Sequence, residues 1–377
     1  MTRTFDVAVV GAGPAGAVAA TLLSRAGRRV ALIDPADAAR PGIDPEGPPK
    51  IGETLPAAAD RLLRAHGLPA AGDDPAHRPI AGSITLWGGP PQRTDAFADP
   101  EGPSLRLDRR RFDAALRGAA LDAGARPLRA RLRRVARDAN GWRLTAEGGA
   151  LSAGWLIDAT GRAAALARSL GATVERESPQ IALWAVGAPS PVGAPPAVDR
   201  TLIERESGEA GWWYAARLPD GRPLAALHTP PRVAVRLRAD PTRWRARLAA
   251  TRLIADHLAA EAFADAPLQA ADARGGRLLR PVGDGWLACG DAALHVDPIA
   301  SQGLFNALAG GVSAARVLTA DDHGGAADAY VARLADVWAR YRLRRETLSV
   351  RLAAGERRGS ASAGPCSDRP YPRPFPL

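Results

Sequence analysis

Residues 7–16 read Val7-Ala8-Val9-Val10-Gly11-Ala12-Gly13-Pro14-Ala15-Gly16. A β-branched apolar run of this kind makes a strand buried on both faces. The G-x-G-x-x-G that follows turns the chain into an alanine- and leucine-rich helix, which Gly27 can end. A second strand, Val30-Ala31-Leu32-Ile33, finishes in Asp34. The first glycine allows the tight turn, the second lets backbone approach a pyrophosphate, and the third lets helix pack on strand. The helix N-terminus offers unpaired N–H groups to phosphate, and an acid at the end of the second strand can bind a ribose. Strand, turn, helix, strand and acid in this order predict a Rossmann-like unit that holds a dinucleotide through Gly11, Gly13, Ala15, Gly16 and Asp34. The motif alone does not separate NAD from FAD.

Two later stretches have the same character. Trp155-Leu156-Ile157 runs into Asp158-Ala159-Thr160-Gly161, and Trp286-Leu287-Ala288-Cys289 runs into Gly290-Asp291. The second continues as Ala292-Ala293-Leu294-His295-Val296-Asp297-Pro298-Ile299-Ala300-Ser301-Gln302-Gly303 before a helix that begins near Leu304. Loops at the carboxyl ends of strands are where α/β sheets hold ligands.

Composition narrows the class. A chain of 377 residues can bury a large core and carry two joined domains. It has no run of eighteen apolar residues, so no membrane span is expected, and nothing near Met1 reads as a signal peptide. Two cysteines, Cys289 and Cys366, make neither a disulfide framework nor a metal-ligand set, and a cytoplasmic location is expected. The net charge of +10 is carried by scattered arginines, Lys50 being the only lysine. Without a compact basic block interleaved with aromatics, nucleic acid is not expected as a partner.

Three strand ends spread over the chain resemble FAD-dependent oxidoreductases of the aromatic-hydroxylase and flavin-halogenase superfamily. The resemblance covers about residues 5–315. It implies an α/β fold: a Rossmann-like FAD-binding domain with an inserted mixed or antiparallel β-sheet substrate domain. In this reading Gly290 and Asp291 hold the ribityl chain, and Thr160 and Gly161 form the middle station. Pro298 stiffens the loop beside the flavin ring. Gln302, Gly303 and Leu304, at a helix N-terminus, stabilise negative charge on the reduced flavin. Lys50-Ile51-Gly52-Glu53-Thr54-Leu55-Pro56 is similar to the segment that follows the flavin-covering loop, which would span Pro41 to Pro49. Arg109-Arg110-Arg111-Phe112-Asp113-Ala114-Ala115-Leu116 resembles the family's R-x-x-F-D-x-x-L helix, whose leading arginine touches FAD. Gly52, Glu53 and Arg109 join the cofactor set on that basis.

The expected organisation is an FAD-binding domain over 1–175, a substrate sheet over 176–274, a return to the FAD domain over 275–320, a C-terminal helix over 321–354 and a disordered tail over 355–377. Between 176 and 270, short strand-like runs are separated by turn signals such as Pro219-Asp220-Gly221. A helix is expected from Asp240, as its cap, to Ala260. Tyr330, Leu334, Val337, Trp338 and Tyr341 recur at helical spacing, a stripe for core packing. Trp184, Trp212, Trp213 and Tyr214 are candidates for the substrate surface, and Trp87 is a further tryptophan that such a pocket could use.

The resemblance implies oxygen insertion into an aromatic substrate, His295, Asp297 and Pro298 being the candidate catalytic residues. A histidine suits proton shuttling because its pKa lies near neutrality. Halogenases of the superfamily need a lysine after the Gly-Glu segment and a glutamate before the loop serine. This chain has no lysine after Lys50 and carries Ala300 before Ser301. Gly52-Glu53-Thr54-Leu55-Pro56, Gly211-Trp212-Trp213-Tyr214 and the Asp297 to Gly303 loop instead resemble the flavoprotein monooxygenases that mature quinone-cofactor amine oxidases and dehydrogenases. The partner would then be a protein carrying the target tryptophan, or else a small aromatic molecule. Thr160-Gly161-Arg162 stands where aromatic hydroxylases place an Asp-Gly pair that touches both FAD and NADPH. The electron donor therefore stays open between NAD(P)H and reduced flavin from a separate flavin reductase. A halogenase-like enzyme, a prenyl-type FAD reductase and a non-enzymatic FAD-binding chaperone are the alternatives.

Overall fold

The computed structural model describes residues 3–35, 50–96, 102–139, 141–147, 149–189, 199–206 and 211–358. The expected flavin-covering loop at 41–49 and the tail beyond 358 lie outside the described residues.

The first sheet has eight strands. Its main order is Val282–Gly283, Trp286–Ala288, Gly149–Asp158, Arg3–Val10, Val30–Asp34, Arg126–Arg129, with the hairpin Leu132–Asp138 and Gly141–Ala146 attached to Gly149–Asp158. Arg3–Val10 pairs in parallel with both Gly149–Asp158 and Val30–Asp34, and Gly149–Asp158 pairs in parallel with Trp286–Ala288. The register sets Val10 opposite Asp158 and Asp158 opposite Ala288. Three strand ends remote in sequence therefore emerge side by side. Alternate residues explain why the strands read as continuous apolar runs: Ala8, Val10 and Leu156 enter one core, while Val7, Val9 and Ile157 enter another, against the helices Pro14–Arg25 and Gly303–Thr319.

The second sheet has seven strands in the order Gln269–Asp272, Ile181–Val186, Pro223–Thr229, Trp212–Arg217, Thr201–Arg205, Gly82–Leu86, Gln92–Asp95. Only Thr201–Arg205 with Gly82–Leu86 is parallel; the other neighbours run antiparallel. Two of its strands thus come from the span 1–175 that the sequence reading gave to the other domain. Chain order hides this exchange, because the pairing of Thr201 with Ser83 joins segments more than a hundred residues apart.

One face of this sheet presents Ile84, Leu183, Leu202, Trp213, Ala215 and Leu227 to the helices Pro231–Ala239 and Pro241–Ala249. Trp213 is fully buried there, its ring 5.2 Å from that of Trp244. Its expected place on the substrate surface is therefore corrected. Side chains alternate along a strand, so Trp212 and Tyr214 share the other face and Trp213 cannot.

The helix expected from Asp240 to Ala260 stops at Ala249. The Asp240 carboxylate does not cap it, and takes the Thr242 hydroxyl and Arg243 instead. Beyond the helix, the Glu204 carboxylate accepts the backbone N–H groups of Arg252, Leu253 and Ile254, which gathers them into a separate turn. The last helix spans His323–Arg358. Tyr330, Trp338 and Tyr341 are buried along its inner stripe, and the Tyr330 hydroxyl donates to the Ala288 carbonyl at 2.8 Å.

Candidate active site

The three strand ends meet through glycines. Gly11 has φ +107°, and a Cβ there would lie 2.2 Å from the Ala159 carbonyl oxygen. A Cβ on Gly16 would lie 1.9 Å from the Gly11 carbonyl oxygen, and one on Gly290 (φ +59°) 2.6 Å from the Ala15 Cβ. The glycine turn and the middle station thus touch backbone to backbone, and the Gly290-Asp291 turn packs against the Ala15 side chain of the first helix. Gly13 differs: a Cβ built on it meets nothing within 4 Å. No side chain caps the helix that starts at Pro14, and its first turn holds no acid. This open approach to uncapped N–H groups is what a pyrophosphate requires. Asp34 Oδ2 accepts the Ala12 N–H at 2.7 Å, so the acid at the second strand's end also fixes the glycine turn.

Asp158, buried at the middle strand end, accepts the Thr160 N–H, the Thr160 hydroxyl and the Ala167 N–H. Thr160 in turn accepts the Ala165 N–H at 2.7 Å. Burial pushes the Asp158 carboxyl upward, and these hydrogen bonds oppose the shift. Arg162 then reaches across, donating to the carbonyls of Arg274 and Val296 and lying 3.4 Å from the Asp291 carboxylate. Thr160 stands where the Asp-Gly pattern has its aspartate, and Arg162, two residues on, joins the middle station to the Gly290-Asp291 turn.

The loop after Asp291 is tightly held. His295 is buried, with Nδ1 3.0 Å from the Asp291 carbonyl and Nε2 against Gly276. Burial and Arg162 lower its pKa. Asp297 is also buried; its carboxylate caps the short turn Pro298–Ala300 by accepting the Ile299 N–H at 3.0 Å. With its amide nitrogen turned toward Asp297, Gln180 donates to Oδ2 at 2.9 Å. Burial raises the Asp297 pKa to about 6. Ser301 takes φ +51°, an uncommon conformation for a residue with a Cβ. It delivers Gln302, Gly303 and Leu304 to a helix start that no side chain caps. His295 and Asp297 thus lie inside the loop that Pro298, Gln302 and Gly303 shape.

The segment after Lys50 is locked from two sides. Arg109 donates to the carbonyls of Ile51 and Gly52, each at 2.9 Å, and to Asp113 at 3.2 Å. Lys50 pairs with the same Asp113 at 2.8 Å. The Glu53 carboxylate points inward, to Arg106 at 3.3 Å and to the Tyr214 hydroxyl. Arg106 is wholly buried and also reaches Asp199, Thr54, Tyr214 and Thr201. Burial opposes its charge, but Tyr214, Asp199 and Glu53 hold it firmly protonated. Burial raises the Tyr214 pKa, against the pull of Arg106. Sequence reading missed Arg106. The only local signal is a lone arginine between Leu105 and Leu107, a charge on one face of a short strand.

The face of the second sheet that carries Tyr214 also carries Trp184, Leu224 and Ala226, packed against Ile51. Trp212 lies on the same face, stacked on His228 at 3.8 Å. Trp184, Trp212 and Tyr214 therefore form one surface beside the 50–55 segment, and Trp213 is excluded from it.

A parallel sheet whose glycine-lined strand ends converge, roofed by an aromatic antiparallel face, defines an FAD-dependent oxidoreductase. The family profile described as FAD binding domain matches residues 4–336, and the chain belongs to that family. FAD is its cofactor. The chain is 27% identical over 330 residues to the "Putative FAD-dependent oxidoreductase LodB" of Marinomonas mediterranea, covering 85% of this chain and 86% of the relative. It is 28% identical over 357 residues to the menaquinone reductase of Mycolicibacterium smegmatis, covering 87% and 79%. Among solved structures, the flavin-dependent brominase Bmp2 superposes with TM-score 0.75 at 21% identity, covering 95% of this chain and 91% of that one. The peptidyl tryptophan dihydroxylase QhpG superposes with TM-score 0.71 at 26% identity, covering 95% and 77%. Among the described residues, no helix is long and apolar enough to cross a membrane.

Proposed function

We propose that this protein is an FAD-dependent monooxygenase that hydroxylates an aromatic substrate, with a peptidyl tryptophan of a partner protein as the leading candidate and a small aromatic as the second. The observation that carries the reading is the aromatic face of Trp184, Trp212 and Tyr214 beside the 50–55 segment, which Arg109 and Arg106 lock in place. The likeness to QhpG supports the choice of tryptophan. A cytoplasmic location fits the sparse use of cysteine.

When bound and reduced, FAD supplies the oxygen chemistry. The chain's own residues bind and position. Gly13 and the N–H groups after Pro14 hold the pyrophosphate, and Asp34 binds a ribose. Asp291, steadied by Arg162, holds the ribityl chain. The N–H groups of Gln302, Gly303 and Leu304, at a helix start that no side chain caps, would stabilise negative charge on the reduced flavin. Arg109 fixes the peptide of Gly52 alongside. The roof excludes water and places the aromatic ring. His295 and Asp297 act through the loop, because both are buried within it. Lys50, the only lysine, is engaged by Asp113, and no later lysine exists to support a halogenase reaction.

The test supplies reduced FAD, from NAD(P)H or from a separate flavin reductase, with candidate aromatics under labelled dioxygen. Product mass should show one labelled oxygen gained. A second reading, an FAD reductase, is favoured by the likeness to menaquinone reductase. Saturation of a double bond under anaerobic conditions, with no oxygen gained, would establish it instead.

A further inference from the structure

The roof contains polar atoms that the fold leaves without partners. Strand register places Trp212 opposite His228, and puts Thr85, Ile203 and Tyr214 in the neighbouring row of the same face. The Trp212 and His228 rings stack at 3.8 Å with 4° between their planes, and Trp87 lies 6.3 Å from Trp212. An aromatic row, Trp87, Trp212, His228, therefore crosses the sheet. Three buried polar atoms on this face, Trp87 Nε1, Thr85 Oγ1 and His228 Nδ1, have no hydrogen-bond partner. Folded proteins pair almost all such atoms, and a group of exceptions on one face calls for a ligand that supplies the partners.

The row also has a direction. His228 pairs with Ala182 of the next strand, and Gln180, two residues before Ala182, donates to the Asp297 carboxylate of the flavin-side loop. The His228 end of the row thus lies next to that loop. Burial pulls the His228 pKa down to about 3, with the Trp212 carbonyl opposing, so the ring is neutral at working pH. A neutral imidazole can present a bare nitrogen as an acceptor, whereas Trp87 Nε1–H can only donate.

We infer that Trp87, Trp212 and His228 recognise the substrate, and that they select an aromatic ring carrying its own N–H, of the indole class, with a carbonyl beside it. The ring N–H donates to His228 Nδ1, and Trp87 Nε1–H donates to the carbonyl. This inference rests on the reading that the roof covers an aromatic substrate.

Calorimetric titration of the FAD-loaded full chain with N-acetyltryptophanamide and with its 1-methylindole analogue tests it. Wild type should bind the unmethylated probe about tenfold more tightly, the worth of one hydrogen bond. His228→Phe keeps a flat ring for stacking but removes the nitrogen, and should abolish the preference by weakening only the unmethylated probe. Trp87→Phe should weaken both probes alike. Equal wild-type affinities, no binding of either probe at millimolar concentration, or a preference that survives His228→Phe overturns the inference. If His228→Phe fails to retain FAD, the comparison of the two probes on wild type decides. Oxygen incorporation is read separately. Selective binding without hydroxylation would overturn the monooxygenase reading alone, and hydroxylation with equal affinities would overturn the recognition row alone.

Discussion

Arg106 Nη1 lies 2.8 Å from the Tyr214 hydroxyl, and this contact joins the short strand Leu105–Arg106 to the roof strand Trp212–Arg217. The same guanidinium binds Glu53 and Asp199, so one buried charge ties the segment after Lys50 to the second sheet. Removing one partner of a buried ion pair strands the others and costs roughly 3–5 kcal/mol. Arg106→Met should therefore lower stability by about that amount in denaturant unfolding of the holoprotein. Tyr214→Phe, which leaves the ion pairs intact, should cost about 1–2 kcal/mol. Equal small effects would show that the network is dispensable.

Gly11 and Gly13 separate packing from binding. Gly11→Ala sets a methyl group against the Ala159 carbonyl in a left-handed backbone. Strain of that kind costs on the order of 1–3 kcal/mol before the clash is counted. The variant should unfold more readily and purify without its yellow colour. Gly13→Ala has room for its methyl group and should keep apoprotein stability near wild type while FAD affinity falls. Apoprotein melting and FAD titration together distinguish the two.

Asp291 and Asp272 make a second comparison. Asp291 faces Arg162 at the Gly290 turn, whereas Asp272 pairs with Arg274 at the end of an edge strand of the roof. Asp291→Ala should raise the FAD dissociation constant about tenfold or more, corresponding to the loss of a hydrogen bond to a charged group. Asp272→Ala should leave it unchanged. Equal retention of FAD by both variants would remove Asp291 from the cofactor site.

Asp297 should make stability depend on pH in an unusual direction. Its pKa rises from 3.8 to about 6 on folding, through burial, so the native state binds more protons than the unfolded chain in that window. Stability from this group is present below pH 3.8 and is lost as pH rises to about 6. Two pK units correspond to about 3 kcal/mol. Asp297→Asn, which keeps an acceptor for the Ile299 N–H, should match wild type near pH 3.5 and exceed it by up to about 3 kcal/mol at pH 7. A difference that does not change with pH would contradict the burial argument.

The roof shows where sequence reading reached its limit. Alternation predicted that Trp212, Trp213 and Tyr214 would divide between two faces, but not which face the helices would cover. The helices Pro231–Ala239 and Pro241–Ala249 decided it, Trp213 packing in one core with Trp244 and Phe263. His228 gave no signal at all, because an isolated histidine in an apolar strand has no pattern. Its stacking on Trp212 comes from a register that only the folded sheet supplies. Arg106 was hidden for the same reason, since its partners Glu53, Asp199 and Tyr214 are up to 108 positions away.

Local chemistry determined the dinucleotide turn and the three strand ends. A tight turn needs glycine at Gly11, and a buried parallel strand needs β-branched runs on both sides of its pleat. Such demands act over a few residues and leave a readable mark. The exchange of strands Gly82–Leu86 and Gln92–Asp95 into the roof, the inward turn of Glu53 and the burial of His295 and Asp297 inside the flavin-side loop were decided by tertiary structure alone. Each depends on partners brought together by sheet register and helix packing, and one residue type serves equally well exposed or buried until those partners are in place.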